Sequence, residues 1–441
     1  MDNTLAYIDQ ASFLTFRALG HGPLILFTWI YDQPINQSAL QRFHDNLSRG
    51  LLGRLVERSP LPFGRHRWVS SSSPAAIDRY TLPVAEAQLH QWLDSLANLV
   101  IDPESGPGWR LATTPLIEGG SAICLLVSHS IADAVGAAQA ISNAIDNREC
   151  DLGYPIANSR SLSKALRQDM RSTLRSLPEL VHAFRSAASL LLRTRHESSV
   201  SRKDHHPTSK QQATNGISVP CLSIQLNELE WDQCASRLGG TRNSLHAGLA
   251  ALLGSRLGRI DRNGRVRLNV PVSLRQKNDS RANALSMITV SVDPSSATRD
   301  LTPFNIALKK ELRKLKNEGD SLHELLTFIP FVPPWAVGLV EGMILESGMP
   351  VACSMTGRLD TPISRLCGIN AKLLDIRGAE RFSSEKLNRS GGKLMLCSNH
   401  INGHVSISIA SWQPGTANSR EALKRAAEQA LNDFGLPAVV T

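Results

Sequence analysis

SAICLLVSHSIADAVGAAQAI, residues 121–141, changes character twice. Ala122 to Val127 is an apolar run of strand type, and Ser128-His129-Ser130-Ile131-Ala132-Asp133 interrupts it. Small residues of helical character follow. That pattern predicts a buried strand, a short loop and a helix. His129 then stands where the strand ends. Asp133 stands at the helix N-terminus, where unpaired backbone N–H groups favour a carboxylate. A histidine needs little tuning to serve as a base near neutral pH, and a nearby carboxylate can fix the geometry it requires.

Working outward, Gly22 to Tyr31 (GPLILFTWIY) reads as another buried strand, ended by Asp32 and Pro34. A helix is predicted from Gln37, with Leu40, Phe43, Leu47 and Leu51 on one face, and a second over Glu86 to Leu96. Pro107-Gly108-Trp109-Arg110-Leu111 enters a further strand. Strands alternating with helices predict an α/β lobe over residues 1–159.

Residues 160–215 differ. Between 160 and 210 there are 11 Lys and Arg against four acids. The first part is helical and amphipathic, and the rest is polar, as expected of a mobile crossover. A solvated linker is the simplest reading; a surface that attracts phosphate or anionic lipid is the sharper one.

A second lobe is predicted over 216–441. Strands are expected at Cys221–Leu226, Arg265–Val272, Ser286–Val292, Val351–Met355, Ile369–Ile376, Lys393–Ser398 and Val405–Ala410. Helices are expected from Glu228 to the Gly239-Gly240 stop, over Asn243–Leu257, and over Pro303–Lys316 with Leu308, Leu312 and Leu315 inward. A last helix should start on an Asn418 N-cap with Glu421 behind it. Leu325 to Val340 carries Pro330, Pro333 and Pro334, so a proline-broken helix is expected, with a tunnel wall or membrane-touching patch as the alternative.

At 441 residues the chain exceeds what one core usually serves, which agrees with two lobes. The excess of 48 basic over 39 acidic residues suits anionic partners such as a phosphorylated cofactor or a lipid surface. No dense basic run is interleaved with aromatics, which argues against nucleic acid. Seven single cysteines without any C-x-x-C predict reduced thiols and a cytoplasmic setting. The N-terminus MDNTLAYIDQ lacks the blocks of a signal peptide, and no apolar run reaches membrane-spanning length.

His-x-x-x-Asp in the first half, a basic crossover, an Asn243-Ser244 helix start and Val270-Pro271-Val272-Ser273-Leu274-Arg275 follow in order. In this order the chain resembles the chloramphenicol acetyltransferase-like superfamily. Within it, the chain is most similar to the bacterial wax ester synthase/diacylglycerol acyltransferase branch, with peptide-synthetase condensation domains as relatives. The family signature is His-His-x-x-x-Asp-Gly. Ser128 stands at its first His, His129 at the catalytic His, Asp133 at the Asp and Ala134 at the Gly.

The resemblance implies two lobes with the active-site tunnel at their interface. It implies His129 as general base and Asp133 as a structural residue paired with Arg275. Ser354, in Ser354-Met355-Thr356-Gly357, matches a loop beside the active-site channel and is the candidate oxyanion donor. Ser128, Trp109 (of Pro107-Gly108-Trp109), Asn243 and Asn283 fall at motif positions that imply substrate contact. The implied reaction is acyl transfer from acyl-coenzyme A or a phosphopantetheine thioester to a hydroxylated, lipophilic acceptor. It needs no bound cofactor and no metal. An acyl carrier protein is the implied macromolecular partner; a peripheral membrane contact is the expectation that the basic crossover and the Leu325–Val340 stretch add. A condensation-type enzyme using a carrier-bound donor, and a noncatalytic binding module, are the competing readings. No G-x-S-x-G, H-E-x-x-H, P-loop or dinucleotide fingerprint occurs. His400 and His404 flank Asn402-Gly403, which predicts a hairpin that would place them on opposite strands rather than on one metal-binding face.

Overall fold

The computed structural model describes residues 3–71, 75–148, 150–178, 217–276, 279–333, 336–337, 349–359, 361–382 and 384–440. It opens with a helix, α1 (Tyr7–Leu19), which the sequence reading did not anticipate. In the first lobe β1 (Leu24–Tyr31) lies antiparallel to β6 (Ser121–Ser128), which pairs in turn with β5 (Trp109–Pro115) and through it with β4 (Asp78–Arg79). A separate ribbon is formed by β2 (Arg54–Glu57) and β3 (Arg67–Ser70).

Successive strand residues face opposite sides of a sheet, and here both sides are covered. Ile25, Phe27 and Trp29 of β1 and Ile123, Leu125 and Val127 of β6 pack under α2 (Gln37–Leu47) and α4 (Ala134–Ile145). Leu26, Ile30, Ala122, Cys124 and Leu126 pack on Leu89, Trp92, Leu93 and Leu96 of α3 (Leu89–Leu96). Burial on both faces accounts for the unbroken apolar runs of β1 and β6. Leu51, expected on α2, is buried in the turn that follows it, because the helix stops at Leu47.

The basic crossover begins with α5 (Leu162–Arg175), tied to the first lobe by Arg160 and Asp169. The polar stretch expected beyond it, with His205-His206, lies outside the described residues.

The second sheet runs β14-β7-β13-β12-β10-β8-β9. Its strands are β7 (Cys221–Asn227), β8 (Val266–Ser273), β9 (Leu285–Val292), β10 (Val351–Arg358), β12 (Lys393–Ile401), β13 (His404–Trp412) and β14 (Val439–Val440). Over it lie α6 (Glu228–Arg237), α7 (Arg242–Arg256), α8 (Thr302–Glu318) and α11 (Arg420–Phe434), which bury Trp231, Leu249, Phe304 and Phe434. Leu312 is 40% exposed rather than inward. Phe304, Leu308 and Leu315 define the buried stripe of α8, and Leu312 falls at its edge. The cap of α11 is Ser419, not Asn418: Ser419 Oγ accepts from Ala422 N, while Asn418 bonds back to Gln413. The proline-rich stretch is a short helix, α9 (Ser321–Leu326), and a 3₁₀ turn at Ile329–Phe331; residues 338–348 lie outside the description. Asn402 and Gly403 both have positive φ and turn β12 into β13, pairing His400 with Val405.

One strand joins the lobes. β11 (Leu373–Ala379) pairs with β1, so it completes the first lobe's sheet from far along the chain; α10 (Ser384–Arg389) follows it. Its other face lies on the second sheet. Ser223 and Ser406 donate hydroxyls to buried Asp375 at 2.7 and 3.2 Å, and Ser408 donates to Ile376 O at 3.0 Å. Among the described residues no helix is long and apolar enough to cross a membrane.

Candidate active site

β6 delivers the chain to Ser128, and a tight turn follows, with Ile131 N on Ser128 O at 3.0 Å. Both backbone groups of His129 are held. Its N–H donates to Pro23 O at 3.0 Å, and its carbonyl accepts from Asn283 Nδ2 at 3.0 Å. His129 is half-buried and lines a cavity of about 290 Å³ between the lobes. That volume sits near the lower end for ligand pockets, roughly 300–1,000 Å³. Pro23, Leu24 and Ala134 line it beside His129, β11 forms its floor, and Cys353, Ser354, Met395 and Cys397 of β10 and β12 close the other side.

Asp133 caps α4, its Oδ1 accepting from Gly136 N at 2.7 Å. Its Oδ2 accepts from Arg275 Nη2 and from Ala284 N, both at 2.8 Å. The carboxylate is therefore engaged by a helix start, a guanidinium and a loop N–H. The Arg275–Asp133 pair is buried, with side chains 4% and 6% exposed. Arg275 also donates to Asp279 O at 3.0 Å, Arg281 O at 3.1 Å and Ala282 O at 3.0 Å, so it organises the whole loop between β8 and β9. Within that loop burial works against the Asp279 carboxylate, yet hydrogen bonds from Arg281 hold its pKa down at about 2.

Three contributors escaped the sequence reading. Asp9 of α1, fully buried, accepts from Ala282 N at 3.0 Å and from Asn283 N and Nδ2 at 2.7 and 3.2 Å. Arg54, also buried, donates to Ile131 O at 2.7 Å and to Ser280 O, with its guanidinium 4.0 Å from the centre of the Trp68 ring. Burial pushes the Asp9 carboxyl up, and the Arg54 charge opposes that. Burial likewise pushes Arg54 down, and Tyr154 and Asp9 oppose that. The third is Gly136, where a Cβ would come within 2.8 Å of Arg275 Nη2 and 3.2 Å of Asp133 Oδ1. A signal for Asp9 exists: Asp9 and Phe13 stand four apart on one face of α1, and an acid in line with a core position asks for a buried partner.

The four positions matched to substrate contact lie elsewhere. Ser128 is buried, its Oγ accepting from Ser130 N at 3.3 Å. Trp109 is a core residue whose ring centre lies 5.2 Å from that of His44. Asn243 is exposed on the first turn of α7. Asn283 is buried and holds backbone. Ser354 lines the cavity from strand β10, within the strand expected at Val351–Met355; where the motif match implies a loop there is a register shift between Met355 and Gly357.

The cavity's thiols are shielded. Burial pushes Cys397 up to about 12 and raises Cys353 and Cys221 as well, so near neutral pH they line the wall as uncharged groups.

No protein-family model matches the chain, and no curated protein matches it in sequence. Its fold, two sheet-containing α/β lobes with a crossover strand between them, is that of condensation domains. In particular, it is similar to the first condensation domain of the CDA synthetase, at TM-score 0.60 and 11% identity, covering 100% of this chain and 97% of that one. Polyketide synthase associated protein 5 from Mycobacterium tuberculosis is similar at TM-score 0.55 and 15% identity, over 98% and 99% of the two chains. The starter condensation domain of rhizomide synthetase, as an R148A mutant in complex with C8-CoA, is similar at 0.53 and 12%, over 98% and 94%.

Proposed function

We propose that this protein is an acyltransferase that moves an acyl group from a thioester, acyl-coenzyme A in the first instance, to the hydroxyl of a lipophilic acceptor. The reading places it with the wax ester synthase/diacylglycerol acyltransferase type. The observation that carries it is His129 on the wall of an inter-lobe cavity, on a backbone held at both N–H and carbonyl.

In this reading His129 takes the proton from the acceptor hydroxyl as that oxygen attacks the thioester carbonyl carbon. The tetrahedral oxyanion accepts a hydrogen bond from Ser354 Oγ or a nearby backbone N–H. Collapse breaks the C–S bond, and the departing thiolate recovers the proton from the imidazolium. Asp133 and Arg275 act by shaping the loop. The protonated cavity cysteines offer no competing nucleophile, and positioning supplies much of the acceleration. The acyltransferase lobes would be residues 1–159 and 216–441, placed in the cytoplasm with a peripheral membrane contact.

A carrier-protein-bound donor, forming an ester or amide, is the second reading; the condensation-domain likeness favours it, and the C8-CoA complex of one neighbour favours free coenzyme A. A noncatalytic member of the fold is the third. The test is turnover of acyl-coenzyme A and acyl-carrier-protein donors against alcohols, glycerides and amines, by the wild type and by His129→Ala. His129-dependent ester formation from acyl-coenzyme A supports the first reading, and a requirement for the carrier supports the second. Turnover undiminished in His129→Ala, or none with any pair, overturns the role given to His129.

A further inference from the structure

Helix α5 presents an apolar stripe to solvent. Leu162, Leu166, Met170 and Leu174 recur every four residues and are 68%, 38%, 45% and 56% exposed; Leu177, 47% exposed, stands just past the helix end. Such spacing puts these four on one side of the helix. A neighbouring side faces the protein: Ala165 and Asp169 are buried, and the Asp169 carboxylate is held by Arg160 at 2.6 Å and by Ser59 Oγ at 2.7 Å. The helix is thus anchored by residues other than the stripe, and packing does not explain why the stripe is apolar.

Beyond the stripe, on the side away from the body, stand Lys164, Arg167, Arg171 and Arg175, all exposed. The one acid of the helix, Asp169, is buried, so its solvent faces carry four positive charges and no negative one. The chain that follows, residues 179–216, has six Lys or Arg against three acids. Its apolar part, residues 180–192, could cover the leucines, but the segment as a whole adds positive charge and would leave the four cations unmatched. An uncharged protein surface could cover the leucines but would leave four cations unused. A surface that is apolar below and anionic at its rim matches both features, which is the constitution of an anionic lipid bilayer.

We propose that α5 is a membrane-docking helix: its leucine and methionine stripe enters the headgroup and acyl boundary of an anionic lipid surface, and Lys164, Arg167, Arg171 and Arg175 lie against the headgroup phosphates. This stands apart from the chemistry at His129, and it gives the enzyme direct access to acceptors dissolved in a membrane.

The experiment is vesicle flotation with the full chain, comparing phosphatidylcholine with phosphatidylcholine–phosphatidylglycerol. The wild type should float with the anionic vesicles, less so as salt is raised. It should stay behind with the neutral ones. Leu166→Glu/Met170→Glu/Leu174→Glu, and separately Lys164→Gln/Arg167→Gln/Arg171→Gln/Arg175→Gln, should each lower partitioning by about ten-fold or more. Circular dichroism checks folding; should the triple variant fail it, Leu162→Glu, at the most exposed stripe position, takes its place. A wild type that ignores anionic vesicles, or variants that bind as it does, overturn the proposal. So does light scattering that finds a dimer which the Glu substitutions split while vesicle binding is unaffected, since a second copy then covers the stripe. Turnover of a short, soluble donor and acceptor should be unchanged in these variants, which keeps this result distinct from any failure at His129.

Discussion

The side-chain amide of Asn283 lies 3.0 Å from the carbonyl oxygen of His129, across 154 residues of chain. The same side chain donates to Asp9 at 3.2 Å, and its backbone N–H does so at 2.7 Å. A residue of the second lobe thus joins a helix of the first lobe to the peptide that carries the candidate base. Asn283→Ala removes both side-chain donations and leaves a buried carbonyl and part of a buried carboxylate unpaired. Such losses cost about 1–3 kcal/mol each. Thermal unfolding should shift down accordingly. If the amide positions the base, kcat should fall by roughly ten-fold or more while KM stays within about two-fold. A fall in melting temperature with kcat intact would reduce Asn283 to a purely structural role.

Asp133 and Arg275 invite a double-mutant cycle. Removing one partner of a buried pair leaves the other charge uncompensated, at about 3–5 kcal/mol. Asp133→Ala and Arg275→Ala should each destabilise by that order. The double variant should lose clearly less than their sum, because the orphaned charge is gone; the difference is the coupling energy. Urea unfolding of the four proteins measures it. Additive losses would mean that the 2.8 Å contact contributes little beyond its parts.

Gly136 and Ala134 make a contrasting pair on the first turn of α4. An alanine methyl at 136 would press on the Arg275 guanidinium, which is fixed by its own carbonyl partners and has little room to move. Overpacking of this kind costs about 1–3 kcal/mol. Gly136→Ala should therefore unfold earlier and turn over more slowly. Ala134→Gly should do neither in large measure, since Ala134 borders open cavity. Comparing both variants by calorimetry and acyl-transfer rate separates the two glycine requirements of the turn. Equal behaviour would contradict the geometry.

The parts of the molecule that follow local rules were legible in the sequence. β1, β6 and the helices after them announce themselves by runs and periods of apolar residues, and Asp133 by its capping position. The Asp133–Arg275 pair came from a resemblance in motif order, since spacing alone does not join residues 142 apart. What escaped depends on distant contacts. Nothing near Asp9 says that its partners are N–H groups at 282 and 283. Nothing near Leu373 says that its strand pairs with β1 rather than with the sheet of its own half. Trp109 and Asn243 sit at motif positions, yet one is core and the other solvent-facing, because a short motif records the local sequence and not what packs over it. The strand over Val351–Met355 is legible but its end is not: Gly357 adopts positive φ inside a strand irregularity where the motif match implies a loop, and glycine alone does not distinguish bulge from turn.

Two buried histidines give the protein a pH dependence of definite sign. Burial, with Arg58 adding to it, lowers His66 to about 4, and burial lowers His246 to about 4 against the ordinary value of 6.5. Between pH 6.5 and 4 the unfolded chain therefore binds more protons at these positions than the folded protein does. Stability is full above 6.5, falls as the pH drops through this window, and loses nothing more from these groups below about 4. Each histidine contributes a slope of at most about 1.4 kcal/mol per pH unit. The raised carboxyls of Asp9 and Asp375 act in the opposite sense, so the total slope alone is not diagnostic. Comparing wild type with His66→Asn and with His246→Leu cancels that contribution. Urea unfolding at pH 6.5 and 5.0 should show each variant losing roughly 1.5 kcal/mol less than the wild type over that interval. A variant whose loss matches the wild type's would mean that its histidine is protonated at the ordinary pH and is not held neutral by the core.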